Sequence, residues 1–120
     1  DTIKGQKPAT AAEKRRYDIL SSIGCVVCRR YHATYRDAEI HHLTEGFKRL
    51  GNRHTIPLCA WHHRAVPDYM ESQRSMRLTL GPSLAMSRQS FDREFGGEKE
   101  LLRYVNRLIR RTQQQLRVSV

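Results

Sequence analysis

The sequence predicts a small α+β domain pinned together by a metal, and three observations carry that prediction. Two short apolar runs, residues 38–43 and 54–58, read as strands, and each is bound up with a histidine pair, His41-His42 and His62-His63. All three cysteines and all six histidines fall between residues 25 and 63 of a 120-residue chain, a crowding of soft metal ligands. On either side the pattern turns helical, with apolar residues recurring every three to four positions. Only 38% of the residues are hydrophobic, thin for a self-sufficient core, so a metal staple would help such a chain to fold.

The elements follow in order. Residues 1–9 show no periodicity and read as a disordered lead-in to a single domain over 10–120; the chain opens on Asp1 rather than Met, as a trimmed chain would. Thr10 and Glu13 form a capping box for a helix over 11–21, with Tyr17 and Leu20 inward, Lys14, Arg15 and Arg16 outward, and Gly24 as its stop. Cys25-Val-Val-Cys28 is a knuckle offering two adjacent corners of a tetrahedron. Residues 29–37 are basic and aromatic and read as a loop or the lead into a hairpin. The strand over 38–43 follows, then a basic, glycine-punctuated loop over 44–53, then the strand over 54–58, where Pro57 demands an edge or a strand end. Residues 60–66 suit a short helix closed by Pro67. The stretch 68–82 has no clear pattern beyond the Gly81-Pro82 turn. A helix over 87–95 brings Phe91 and Phe95 one turn apart, and Gly96-Gly97 ends it. The last helix, 98–116, has the clearest stripe, Leu101, Leu102, Val105, Leu108 and Ile109.

Cys59 and His62, three residues apart, make a second knuckle. With Cys25 and Cys28 they complete a closed Cys3His set, which suits a structural Zn2+ whose binding free energy is folding free energy. His32, four residues after Cys28, is the rival fourth ligand; the plainer alternative is three buried free thiols. His41, His42, His54 and His63 are then left over. Neighbouring histidines on a regular strand face opposite ways, so both can serve one site only if the strand ends or twists there. Trp61, inside the second knuckle, suits core packing better than base stacking.

Charge narrows the partners. Twenty-two basic against twelve acidic residues leave +10, a surplus that suits a polyanion, nucleic acid before membrane. No apolar run is long enough to span a bilayer and no signal peptide is visible. Candidate phosphate-binding residues are Arg29, Arg30 and Arg64 near the knuckles, Lys48, Arg49 and Arg53 in the basic loop, and Arg103, Arg107, Arg110 and Arg111 on the last helix. Nothing in the sequence offers a base-reading element.

The spacing Cys-x-x-Cys, Ile40-His41-His42-Leu43 and Pro57-Leu58-Cys59-Ala60-Trp61-His62-His63 resembles the HNH endonucleases, which have a ββα-metal fold. The longer pattern, through Thr55-Ile56 to Arg64 and including Gly81-Pro82-Ser83-Leu84, is similar to the bacteriophage recombination-enhancement (Ref) nucleases. That resemblance implies a ββα-metal core over 25–66 with a helical part over 83–118. It implies roles as well: His42 as the general base, His41 and His63 as ligands of a catalytic divalent ion, and His54 at the position that steers the base, a position usually held by Asn, with Asn52 the alternative.

Two imidazoles leave open positions for water and phosphate oxygens, and His42 would activate water in line, leaving a 5′ phosphate and a 3′ hydroxyl. Imidazole suits Zn2+, Ni2+ or Mn2+, while Mg2+ could serve with substrate oxygens as partners; Mg2+ or Mn2+ is the working ion, with Zn2+ able to occupy the site in crystals. The resemblance further implies DNA paired by a RecA filament as substrate, a monomer, and the cytoplasm of a bacterial host. A zinc-stabilised DNA-binding module without activity is the competing expectation, but it has no use for His41, His42 and His63 together.

Overall fold

In the computed structural model, which describes residues 8–46 and 48–118, the elements are α1 (Ala11–Ile23), α2 (Val26–Tyr31), β1 (Glu39–His42), β2 (Thr44–Glu45), β3 (Lys48–Arg49), β4 (Thr55–Leu58), α3 (Ala60–Arg64), α4 (Gln73–Leu80), α5 (Arg88–Phe95) and α6 (Glu98–Val118). Helices at both ends flank a small sheet, the predicted α+β arrangement. The expected disordered lead-in lies, but for residues 8 and 9, outside the described residues.

The α1 capping box is formed: Glu13 N donates to Thr10 Oγ1 (3.1 Å) while Thr10 N donates to Glu13 Oε1 (2.8 Å). Both satisfy amides that the helix itself leaves without partners. Gly24 ends the helix at φ +74°, where a Cβ would stand 2.8 Å from the Arg36 carbonyl oxygen. That oxygen accepts from Cys25 N, so the bare glycine lets the first thiol-bearing segment close on residue 36.

β1 and β4 pair antiparallel with Glu39 opposite Leu58, His41 opposite Ile56 and His42 opposite Thr55. In a two-stranded sheet every strand is an edge, which is how Pro57 fits opposite Ile40. All four β4 residues are buried, because α1, α2, α3 and α6 all pack against that strand. The core is Leu20, Val26, Val27, Ile56, Leu58, Trp61, Phe91, Leu101 and Val105. Trp61 packs there as expected, its Nε1 donating to Gly81 O.

Four local expectations need correction. Residues 29–31 belong to α2, not to a loop: Arg29 N and His32 N donate to Cys25 O and Cys28 O, so the helix winds through the first knuckle. The basic loop contains a two-residue ladder, β2 on β3. The unpatterned stretch 68–82 contains α4. Ser72 caps it by accepting from Ser75 N, and of its residues Met76 alone is buried while Leu78 is 74% exposed. Helix α3 is also shorter than expected, closed by Ala65 in the left-handed region (φ 59°) before Pro67 is reached.

Candidate metal centre and active site

Cys25 precedes α2, Cys28 lies on it, and Cys59 caps α3 with Sγ accepting from His62 N. The four donors Cys25, Cys28, Cys59 and His62 are buried and lie within 4.8 Å of one another. Cys25 and Cys28 Sγ are each 3.6 Å from His62 Nδ1, and Cys59 Sγ is 3.3 Å away. Zinc bonds of about 2.3 Å to sulfur and about 2.0 Å to nitrogen put tetrahedral corners about 3.5 Å apart, so the donors stand at the spacing of a closed site. His62 Nε2 lies 2.7 Å from Leu80 O, which assigns the proton to Nε2 and leaves Nδ1 as the ligand atom. The rival His32 lies outside the cluster. Its ring stacks on His62 at 6.0 Å and its Nε2 approaches the same Leu80 carbonyl. All three cysteines are free of disulfides.

These groups perturb one another. Burial lowers His62, but hydrogen bonds from Cys25 and Cys59 outweigh it and hold the imidazole up at about 9. Hydrogen bonds from the other two thiols hold Cys59 far below the ordinary thiol range and push Cys28 far above it. A bound ion would displace the thiol protons and hold the sulfurs as thiolates.

The remaining histidines form a second group beside the first. His41 and His63 approach with ring centroids 5.1 Å apart. His63 Nδ1 is 2.8 Å from Glu39 Oε1, and Arg64 Nη2 holds the same carboxylate at 2.5 Å. Arg64 first, and His63 after it, keep Glu39 ionised with a pKa of about 2. His41 Nε2 is buried without a hydrogen-bond partner, 3.5 Å from Glu98 Oε2. An orphaned buried nitrogen beside an imidazole whose other nitrogen is already engaged fits a divalent ion held by His41 and His63.

His42 ends β1 and turns to other partners. Its Nε2 lies 2.9 Å from Asn52 Oδ1, and Arg49 Nη2 sits 2.9 Å from both ring nitrogens. Oδ1 can only accept and the guanidinium can only donate, so a proton on Nε2 satisfies Asn52 and leaves Nδ1 to accept from Arg49. Burial, then the charges of Arg49 and His41, hold His42 below its ordinary value, against the opposing Asn52 bond. Of the two residues the sequence left open as partner of this imidazole, Asn52 meets it. His54 is exposed, and its carbonyl accepts from Leu43 N.

Several of the expected phosphate-binding residues have structural partners. Arg30 lies over the Tyr104 ring (4.8 Å) and 3.7 Å from Glu100, Arg103 bonds Glu100, and Arg64 is held by Glu39. Arg107 stands beside Tyr104. Arg29, Lys48, Arg49, Arg53, Arg110 and Arg111 are exposed. A cleft of about 390 Å³ between α1 and α6 is lined by Glu13, Arg15, Arg16, Arg53, Asn106 and Gln113. Sequence reasoning placed Arg15 and Arg16 on an outward face. Arg16 instead turns in to bond Thr55 and Asn106. It also missed Glu98, read only as the start of the last helix; no local signal links it to His41, 57 residues earlier.

No helix among the described residues is long and apolar enough to cross a membrane. Compared with known protein families, residues 9–110 match the family described as recombination enhancement, RecA-dependent nuclease.

Proposed function

The chain belongs to the recombination-enhancement, RecA-dependent nuclease family, HNH-type metal-dependent nucleases, and from that membership we propose that it cuts DNA with His42 as general base, on duplex brought into register by a RecA filament. The observation that carries the catalytic part is the His42–Asn52 contact. With the proton on Nε2 toward Asn52, Nδ1 would be the nitrogen that takes a proton from water. The lowered pKa keeps that nitrogen free at neutral pH.

Two metal sites with divided labour are part of the proposal. The Cys25–Cys28–Cys59–His62 set is closed, with no position left for substrate, and serves as the structural zinc site. His41 and His63 would hold the catalytic ion, with Glu39 orienting His63. Such an ion would supply Lewis-acid stabilisation of the negative charge that develops on the phosphate and the leaving 3′ oxygen. Arg49, beside the base, is placed to pass to a substrate phosphate as water takes its position at Nδ1. Arg53 and the cleft it shares with Arg15 would hold the flanking backbone.

The test is cutting of RecA-paired duplex DNA with Mg2+ or Mn2+, by the wild type and by His42→Ala, each carrying one zinc per chain. Activity in the first and a fall of about 10²-fold or more in the second is the expected result. A fully active His42→Ala would end the assignment. Cutting of a duplex paired with a RecA-coated oligonucleotide, against the same duplex alone, tests filament direction; equal rates would reject it.

A further inference from the structure

Glu98 has no part in the mechanism above, yet it is 8% exposed at the first position of α6. A carboxylate is rarely buried without a charge to meet. Arg88 bonds one oxygen, Oε1. The other, Oε2, faces His41 Nε2 at 3.5 Å, and that nitrogen has no hydrogen-bond partner. Were the two a simple charge-assisted pair, the N–H would close on the oxygen to about 2.8 Å. They instead stand apart at close to the separation of two neighbouring ligands of one ion: bonds of about 2.0–2.1 Å give about 3.0 Å at an octahedral edge and about 3.4 Å at a tetrahedral one.

We infer that Glu98 is the third protein ligand of the catalytic ion, completing a His41–His63–Glu98 set. The inference rests on the proposed His41–His63 ion site. Each of two members would be backed by an outer partner: His63 by Glu39, and Glu98 by Arg88, whose charge holds the carboxylate in place without occupying Oε2. His41 and Glu98 form the preset edge. His63 would complete the set; among the described residues only the thiol cluster brings all its donors within 4.8 Å, so these three donors stand farther apart than the thiol set. One carboxylate among the imidazoles moves the site's preference toward Mn2+ and Mg2+.

Titration calorimetry of the zinc-loaded protein with Mn2+ alone tests this apart from activity. Glu98→Gln, which keeps shape and removes charge, is expected to weaken Mn2+ binding at least tenfold with zinc content and circular dichroism unchanged; His63→Ala is expected to weaken it as well. Wild-type affinity in Glu98→Gln, with binding lost in His63→Ala, overturns the Glu98 assignment alone. Wild-type affinity in both overturns the ion site on which it rests. Should Glu98→Gln fail to fold, a Mn2+ anomalous-scattering map of the wild type decides: a peak within bonding distance of Oε2 supports the assignment, and a peak on the histidines beyond reach of Glu98 overturns it.

Discussion

At the scale of single residues, two adjacent histidines divide because a strand sends neighbours to opposite sides. His41 faces His63 and Glu98; His42 faces Asn52 and Arg49. This separation makes separable predictions. Asn52→Ala frees the imidazole to rotate and should lower the cleavage rate by about tenfold or more, whereas His54→Ala should leave it near wild type. The pH profile gives a signed test. The base works only when neutral, and burial holds its pKa below the ordinary 6.5, so the rate should fall on acidification with a midpoint below 6.5. Arg49→Ala removes a charge that lowers His42, and its midpoint should move upward. Asn52→Ala removes a bond that raises it, and its midpoint should move downward. Rates measured across the weakly acidic to neutral range check all three, and opposite shifts would contradict the assignment of the titrating group.

At the scale of elements, the Cys25–Cys28–Cys59–His62 cluster joins three segments of a thin core: the α1–α2 junction, the turn before α3, and, through the Leu80 carbonyl, α4. Cys59→Ser or stripping with a chelator should therefore cost the tertiary fold and not merely activity, since the apparent free energy of such sites is on the order of 10 kcal/mol. A cooperative thermal transition surviving zinc removal would contradict this. Thr10→Ala, by contrast, should cost only about 1 kcal/mol, measured by urea denaturation, because the capping box is exposed. The sequence made these elements legible where pattern and chemistry agreed: the Thr10 box, the two strands, the Phe91 and Phe95 pair, and the stripe of α6. It failed at α2, where two β-branched valines and a ligand knuckle hid a helix, and at α4, where exposed Leu78 blurred a stripe whose one buried member is Met76. The Ser72 cap was the signal that could have found α4. In the site, the donor types and spacing were readable, while Asn52 as the partner of His42 and Glu98 as the neighbour of His41 depend on tertiary approach.

At the scale of the whole molecule, part of the net charge of +10 is already engaged by internal partners. Exposed Arg53 and Arg15 border the α1–α6 cleft and are better placed for phosphate than Arg30 or Arg64. Replacing both with alanine should reduce the slope of log affinity against log salt by about 2, one for each phosphate no longer neutralised, in binding measured over a salt series. An unchanged slope would place the DNA elsewhere. On this reading one histidine group folds the protein and another cuts DNA. Divalent-dependent cleavage of RecA-paired duplex by His42→Ala and wild type, with zinc quantified in the same samples, probes that division most directly. Equal zinc, one per chain, with cleavage by the wild type alone, is the expected result; cleavage by both at equal zinc would refute it.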